Sequence, residues 1–333
     1  MASDKKEYDV FKGLLDGSQV NTLDKSTLLS CLQEKTLSDL GSSKQVYVLH
    51  DPCDIRKPYS SDLEDIGKVL SLKKEVISGY SSFNSVVLKP DFQQVYLLDS
   101  YLYSNKQADY VRQDICHQIL AIAPNTEKSE ELKDKKGKTI SLECQDLVLK
   151  DEYQNGVKIA KNQIIKSSKI LKSSNQELVI CHVLDREFDD VSIFETIDNL
   201  SDKFTIRLKL NRLSNSKQVL YTPKGKVSKK ESYEKLVDKK FVNKGNFVIQ
   251  KLEIKGKIHK NVSCLIEYEP LILNEKLYTV VRISLACEGK SLFEHPMLLL
   301  TNELVSNIME SQQIYKTYIL RFKIEAVRRC DCF

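Results

Sequence analysis

The stretch Gln45-Val-Tyr-Val-Leu-His-Asp51 is an apolar run that stops at an acid, and the stretch Glu177-Leu-Val-Ile-Cys-His-Val-Leu-Asp185 repeats this pattern later in the chain. Both runs are rich in β-branched residues and end at a polar residue, which is typical of short buried strands. Each strand is therefore predicted to end at an aspartate. Acids at two strand ends can converge with an acid that a later helix carries.

A third group of polar residues lies near the end of the sequence, in the run Tyr318-Ile-Leu-Arg-Phe-Lys-Ile-Glu325. Steps of three and four residues place Tyr318, Arg321 and Glu325 on one face of a predicted helix. Hard divalent cations such as Mg²⁺ or Mn²⁺ prefer oxygen ligands and keep several waters. The carboxylates of Asp51, Asp185 and Glu325 can hold two such ions roughly 3.5–4 Å apart, the arrangement used for in-line displacement at phosphorus.

These motifs, in this order, resemble those of the DDE transposases of bacterial insertion sequences. Within that family the resemblance is to the hairpin-forming branch of the insertion-sequence-four type, which carries a Tyr-Arg-Glu-Lys signature. It extends from about residue 40 to residue 325. The matching pieces are His-Asp51-Pro-Cys-Asp54-Ile-Arg-Lys57-Pro, Val-Leu-Asp185-Arg186-Glu187-Phe-Asp189, Leu-Leu-Leu-Thr301-Asn302 and Tyr318-x-x-Arg321-x-x-x-Glu325.

The resemblance implies a function and a set of site residues. Asp51, Asp185 and Glu325 are expected to be the catalytic acids that bind Mg²⁺ or Mn²⁺, and Tyr318 and Arg321 to position a DNA phosphate near the scissile bond. Cleavage of double-stranded DNA at the transposon end would free a 3′-hydroxyl, which attacks the opposite strand and, after the hairpin opens, attacks target DNA. Members of the family act on DNA as homodimers.

The end of the sequence departs from the family pattern. The signature lysine is expected seven positions after Glu325, and Cys332 stands there. The chain therefore resembles a family member shortened at its C-terminus, which we expect to keep its metal site but not to complete transposition. Three alternatives are a catalytically inert DNA-binding remnant of a transposase, a nuclease on the same fold, and a phosphatase with an aspartate nucleophile; the last lacks the Asp-x-Asp spacing.

Two histidines and several further acids lie close to the proposed metal ligands in the sequence. His50 and His182 are predicted to pack or to support the site, because Mg²⁺ prefers oxygen to imidazole ligands. The remaining nearby acids are predicted to be surface or supporting carboxylates. They are Asp54, Glu187, Asp189 and Asp190.

The pattern of apolar residues and turn signals predicts an α/β protein, which is compatible with the ribonuclease-H-like core that the resemblance implies. Residues 1–40 are predicted to be a helical N-terminal segment and 41–210 the first part of the core. Residues 211–291 alternate like antiparallel strands and predict a β-rich insertion, and 292–333 the last strand and the helix that carries Glu325. Predicted helices cover 107–122, 151–172, 193–200 and 303–328, and predicted strands cover 45–49, 85–88, 95–103, 177–184, 204–210, 246–254, 263–268, 277–285 and 296–300.

Basic charge is concentrated in one part of the chain. The net charge is +5, yet residues 205–260 hold 16 Lys and Arg against 4 Asp and Glu, a local net charge of +12. Such density binds phosphate backbones by counterion release. Lys229, Lys230, Lys239 and Lys240 are predicted to contact DNA; the alternative is a solvated lysine-rich surface.

Composition excludes several classes of protein. A hydrophobic content of 41% is ordinary for a globular protein. No apolar run approaches the roughly 18 residues that span a bilayer, and the N-terminus lacks a signal-peptide pattern. The 9 cysteines are scattered and odd in number, which argues against a zinc site or a disulfide scaffold. These features predict a cytoplasmic protein without a membrane partner.

Overall fold

The computed structural model describes residues 25–60, 62–71, 73–91, 94–122, 133–134, 136–221, 227–254 and 257–322, with 25–26, 214–221 and 227–233 as backbone only. The helices are α1 (Lys25–Leu40), α2 (Gln113–Ile122), α3 (Leu142–Leu149), α4 (Gly156–Ser174), α5 (Val191–Asn199) and α6 (Ile308–Ile319). The strands are β1 (Gln45–Arg56), β2 (Gly67–Leu70), β3 (Val76–Leu88), β4 (Val95–Tyr103), β5 (Val179–Leu184), β6 (Lys203–Arg207), β7 (Leu213–Tyr221), β8 (Val227–Lys235), β9 (Asn243–Ile254), β10 (Lys257–Leu273), β11 (Lys276–Cys287), β12 (Lys290–Ser291) and β13 (Met297–Thr301).

One mixed sheet of eleven strands organises this part of the chain, so the protein is α/β. The strand order is β2-β3-β1-β5-β6-β13-β11-β10-β9, with β4 paired to β3 and β12 to β11. Strands β1, β5 and β6 are parallel neighbours, and the other pairings are antiparallel. None of the helices in the described part of the chain combines the length and apolarity needed to cross a lipid bilayer.

Alternate residues of the central strands point to opposite faces of the sheet, and each face is covered by a helix. On one face, Val46 and Val48 of β1 pack with Leu171 of α4. On the other face, Leu49 of β1 and Val183 of β5 share a core cluster with residues of α6. The sheet is therefore buried on both sides where β1 and β5 run together, as expected for parallel strands.

Helix α6 forms because its N-terminus is capped and one side is apolar. Asn307 accepts a hydrogen bond from the backbone N–H of Glu310, and Ile314, Tyr315 and Tyr318 are buried against the sheet. The predicted helix 303–328 was wrong at its start, because the chain becomes helical only after the Asn307 cap. The described helix ends at Ile319.

Strand β1 is longer than the sequence predicted. The apolar run was expected to end at Asp51, but β1 continues to Arg56 because it stays paired with β3 along that whole length. Its pairing with β5 stops at Leu49. A proline such as Pro52 is tolerated in the edge segment that follows.

The region 211–291 forms antiparallel strands, as predicted, but it does not stand apart from the sheet. Strands β9, β10 and β11 pair in sequence, and β11 pairs with β13, which pairs with β6. They therefore extend the sheet that contains β1 and β5. The hairpin β7–β8, strand β2 and helix α3 were not predicted individually, because they are short or polar.

Asn302, part of one motif quoted above, has a structural role. Its side-chain amide donates to Asp198 Oδ1 at 2.9 Å and to the carbonyl of Asp202 at 2.8 Å. Its amide oxygen accepts from the backbone N–H of Phe204 at 3.0 Å. One side chain thereby joins the end of β13 to the turn between α5 and β6.

Candidate active site

Asp51 and Asp185 occupy matching positions on two neighbouring parallel strands. The last paired residues of β1 and β5 are Leu49 and Val183, and each aspartate follows two residues later. Asp185 comes directly after β5 and precedes a single 3₁₀ turn, Arg186–Phe188. The side chain of Asp51 is 3% exposed and that of Asp185 is 20% exposed.

Arg321 joins the two aspartates. Its Nη2 lies 3.0 Å from Asp51 Oδ1 and 3.2 Å from Asp185 Oδ2. Tyr318 donates its hydroxyl proton to Asp185 Oδ1 at 3.0 Å. Four side chains that are far apart in the sequence therefore meet at one point, and they are four of the five active-site residues predicted above.

The end of α6 places Tyr318 and Arg321 against the strands. The N–H groups of Leu320 and Arg321 donate to the carbonyls of Thr317 and Tyr318, so the chain tightens into bonds that span three residues. Tyr318 is completely buried. Burial, with a smaller contribution from the carboxylate of Asp185, raises the pKa of Tyr318 to about 12, so the phenol stays protonated and can donate.

The chemistry of this group fits a cation site. Two carboxylates converge, and one guanidinium already lies between them, so the pair binds a positive charge in this structure. Mg²⁺ in proteins is often held by one or two carboxylates together with substrate phosphates. The predicted third acid, Glu325, lies outside the described residues. Among the residues that are described, no group of three His, Cys, Asp or Glu side chains is arranged to hold a metal ion.

The other acids near the motifs have structural partners. Asp54 accepts hydrogen bonds from Ser81 Oγ at 3.2 Å and from the N–H of Leu70 at 3.3 Å. Asp190 caps α5 by accepting from the N–H of Ser192 at 2.9 Å. Asp189 pairs with Arg212, although burial still raises the pKa of Asp189. Glu187 is exposed beside the aspartate pair.

A buried chain of hydrogen bonds crosses the opposite face of the same two strands. His50 Nε2 lies 2.8 Å from His182 Nδ1, and His182 Nε2 lies 3.2 Å from Asp202 Oδ2. At the other end, His50 Nδ1 lies 2.9 Å from Ser85 Oγ. The carboxylate of Asp202 can only accept, so His182 donates to it; with both rings neutral, His50 then donates to His182 and Ser85 donates to His50. Burial, together with the neighbouring His182, lowers the pKa of His50 well below 6.5, so this ring is neutral.

Two clefts are lined by residues that neighbour the aspartates in the sequence. One, of about 370 Å³, has three cationic side chains in its wall, those of Arg186, Arg207 and Lys209. The other, of about 520 Å³, is lined by residues that include Pro52, which follows Asp51, and two tyrosines. Glu187 lines both clefts. One cleft is therefore basic and the other partly aromatic, and Asp51 and Asp185 are not among the lining residues of either.

The basic cleft was not foreseen from the sequence. Arg207 is the last residue of β6, the parallel neighbour of β5, and Arg186 directly follows Asp185. Parallel strands end at the same edge of a sheet, so the position of Arg207 at a strand end was a usable signal. It was missed because the predicted strand ran on to residue 210.

The four lysines predicted to contact DNA lie in different settings. Lys240 is exposed. Lys239 Nζ lies 2.6 Å from Glu269 Oε1, so a carboxylate already binds this amine. The side chains of Lys229 and Lys230, on β8, lie outside the described residues.

Neither a scan against protein-family models nor a search of curated proteins finds a match for this chain. The geometry of the site therefore carries the functional argument.

Proposed function

We propose that this protein is a DNA transposase of the DDE class, which cuts and joins DNA strands at the ends of an insertion sequence with the help of Mg²⁺ or Mn²⁺. The observation that carries the proposal is the meeting of Asp51 and Asp185, side by side on parallel strands, with Tyr318 and Arg321 from the C-terminal helix. All four were singled out by the motifs that resemble the hairpin-forming branch of this family.

The order of strands supports a ribonuclease-H-like core. Strands β1, β3 and β4 form an antiparallel series, and β5 and β6 join the other side of β1 in parallel. Three antiparallel strands followed by two parallel ones, joined between β4 and β5 by helices of which α4 is the longest, is the layout expected of that core. The aspartates belong to β1 and to the end of β5, the two neighbours at its centre.

The proposed chemistry assigns a task to each side chain. Asp51 and Asp185 would hold the divalent cation, with Glu325 as the third acid. When bound, the cation would supply Lewis-acid stabilisation of the scissile phosphate. Tyr318 keeps its proton and fixes the orientation of Asp185, and Arg321 can bind a phosphate through two parallel hydrogen bonds. The cations Arg186, Arg207 and Lys209 line a path for the DNA backbone beside the aspartates.

The proposal is tested by DNA nicking. The full chain is incubated with supercoiled plasmid and either Mg²⁺, Mn²⁺ or EDTA, and the wild type is compared with Asp51→Asn and Asp185→Asn. Loss of a cation ligand should remove about 4 kcal/mol of transition-state stabilisation, which corresponds to ~10³-fold in rate. Asp54→Asn, which changes the same charge on the same strand, should nick like the wild type. Equal nicking by all four proteins, or nicking in EDTA, would refute the assignment.

A DNA-binding protein without catalytic activity is the second candidate. The bridge from Arg321 to both carboxylates favours it, because a guanidinium neutralises the pair without any metal ion. Plasmid binding that is strongly salt-dependent, with no nicking in either cation, would select this candidate.

A further inference from the structure

Arg321 is in contact with the groups that a cation would need. A single nitrogen of its guanidinium, Nη2, contacts Asp51 at 3.0 Å and Asp185 at 3.2 Å, and the side chain is only 13% exposed. The guanidinium thus occupies the space between the two carboxylates. Asp51 is buried, and a buried carboxylate is strongly destabilising unless a positive charge accompanies it.

Two of the roles discussed above exclude each other in this geometry. While Nη2 binds both carboxylates, a divalent cation that approaches the pair meets a positive charge and oxygens already in use. For the same reason, Arg321 cannot present its fork of N–H groups to a DNA phosphate while it bridges the aspartates. The arginine therefore has two alternative partners, the aspartate pair and a phosphate.

The surroundings of Arg321 allow an exchange between these partners. The residue lies two positions beyond the end of α6, and its N–H donates to the carbonyl of Tyr318 in a three-residue bond. Its Nε is buried and has no hydrogen-bond partner among the described residues, so the guanidinium is incompletely satisfied where it is. Tyr318 binds Asp185 independently and can hold that carboxylate in place when Arg321 leaves.

We propose that Arg321 occupies the cation position in the DNA-free protein and moves to a DNA phosphate in the complex, so that DNA and the divalent cation bind cooperatively. The inference rests on the proposed function, because it takes the aspartate pair to be the cation site. Its consequence is that the free protein binds divalent cations weakly and is loaded with them on DNA. Thermodynamic reciprocity then requires the cation to tighten DNA binding by the same factor.

The test measures Mn²⁺ binding directly, by calorimetric titration of the full chain. The wild type, Arg321→Gln and Lys316→Gln are each titrated without DNA and with a short DNA duplex. Lys316 is an exposed residue of the same helix, so its replacement removes one positive charge without altering the aspartate pair. We expect Arg321→Gln to bind Mn²⁺ ~10-fold more tightly than the wild type or Lys316→Gln in the absence of DNA. Addition of DNA should tighten Mn²⁺ binding to the wild type by a similar factor and change that of Arg321→Gln much less.

The outcomes separate this proposal from the proposed function. If Arg321→Gln binds Mn²⁺ no better than Lys316→Gln, the competition does not exist, even when the wild type nicks DNA. If the expected coupling is found but no protein nicks DNA, cooperative binding stands and the catalytic function falls. Arg321→Lys guards against a folding failure of the glutamine variant, because it keeps a positive charge at the pair but cannot bridge it in the same way. The Mn²⁺ affinity of Arg321→Lys should lie between that of the wild type and that of Arg321→Gln. An affinity equal to that of the wild type would overturn the proposal.

Discussion

Each face of the strand pair β1 and β5 carries a pair of polar residues in the same register, but the two pairs have different hydrogen-bond partners. On one face, His50 and His182 lie in a continuous series of hydrogen bonds that ends at Asp202. On the other face, Asp51 and Asp185 are held together by Arg321, which lies just beyond the end of a helix. The histidine face is fully enclosed, whereas Asp185 keeps contact with solvent.

The difference separates polar groups that stabilise the fold from polar groups that are available to a ligand. In the histidine series both nitrogens of each ring have partners, and Asp202 is also bound by Lys172 at 2.6 Å and by Ser168. Asp202 Oδ1 meets Lys172 as an ion pair and has no hydrogen-bond partner among the described residues. Networks of buried polar groups with this many partners make a protein rigid. The aspartate pair is bridged by one arginine whose Nε has no hydrogen-bond partner among the described residues, which is why we propose that a cation or a phosphate can compete for this bridge.

The largest effect on stability is expected from Asp202→Asn. The asparagine side chain has one acceptor oxygen and an NH₂ group that only donates, so it cannot accept from both His182 and Lys172 through separate atoms. A buried charged hydrogen bond is lost, and the free energy of unfolding should fall by about 2 kcal/mol. DNA nicking well below the melting temperature should change little, because the site on the opposite face is untouched. Urea unfolding followed by circular dichroism measures the first effect, and the plasmid assay the second. If Asp202→Asn had normal stability but impaired nicking, Asp202 would serve the reaction and not the stability of the fold.

The same variant should show a defined pH dependence. Burial acts to raise the pKa of Asp202, but the hydrogen bonds from His182, Lys172 and Ser168 outweigh burial and hold the pKa below 3.8. A carboxyl group with a lowered pKa in the folded state contributes stability that is complete above its unfolded pKa and is lost as pH falls through its folded pKa. The difference in stability between wild type and Asp202→Asn should therefore be constant near neutrality and shrink below about pH 3.8. A difference that grows in acid would contradict this assignment.

The residues of the candidate site were more predictable from the sequence than the buried residues that hydrogen-bond to the histidines on the opposite face. Asp51, Asp185, Tyr318 and Arg321 could be named because strand-end acids and a helical stripe leave local patterns. The sequence also placed His50 and His182 in a packing or supporting role. It could not name their partners Ser85 and Asp202, because these meet the histidines only through the pairing of β1 with β3 and the return of the chain after α5.

The predicted ends of strands and helices were wrong where tertiary contacts override the local sequence pattern. The sequence placed the end of this strand at Leu49, where the parallel pairing of β1 with β5 stops, but the antiparallel partner β3 extends the strand to Arg56. In the same way, the C-terminal helix was expected to begin at residue 303, before the Asn307 cap. The bridge from Arg321 to both aspartates was also not foreseen, because the motifs assign Arg321 to DNA and not to the acids.

A smaller effect is expected from Tyr318→Phe, which tests how firmly the aspartate face is held without Arg321. The change keeps the buried ring and removes only the hydroxyl that donates to Asp185 at 3.0 Å. Because Asp185 is 20% exposed, water can replace part of that bond, and the loss of unfolding free energy should be about 1 kcal/mol. Tyr315→Phe, one turn earlier in the same core, is the matched control. Thermal melting should show a larger loss of stability for Tyr318→Phe than for Tyr315→Phe. Equal losses of stability would mean that the hydroxyl of Tyr318 does not hold Asp185.

The smallest effect is expected from single lysines of the basic stretch, and it extends the comparison to charges on the surface. Lys240 is exposed, whereas Lys239 is bound to Glu269 at 2.6 Å. A lysine that neutralises one DNA phosphate adds about 0.9 to the slope of log K against log salt concentration. Lys240→Gln should therefore lower the slope by about that amount and weaken binding to all DNA sequences alike, and Lys239→Gln should leave it nearly unchanged. Fluorescence anisotropy of a labelled duplex at several salt concentrations gives both slopes.

A drop in the slope for Lys239→Gln as large as that for Lys240→Gln would show that DNA displaces Glu269, just as a phosphate is proposed to displace the aspartates from Arg321. If neither variant lowers the slope, the basic stretch is better interpreted as a solvated surface, since a charge that meets no phosphate releases no counterion.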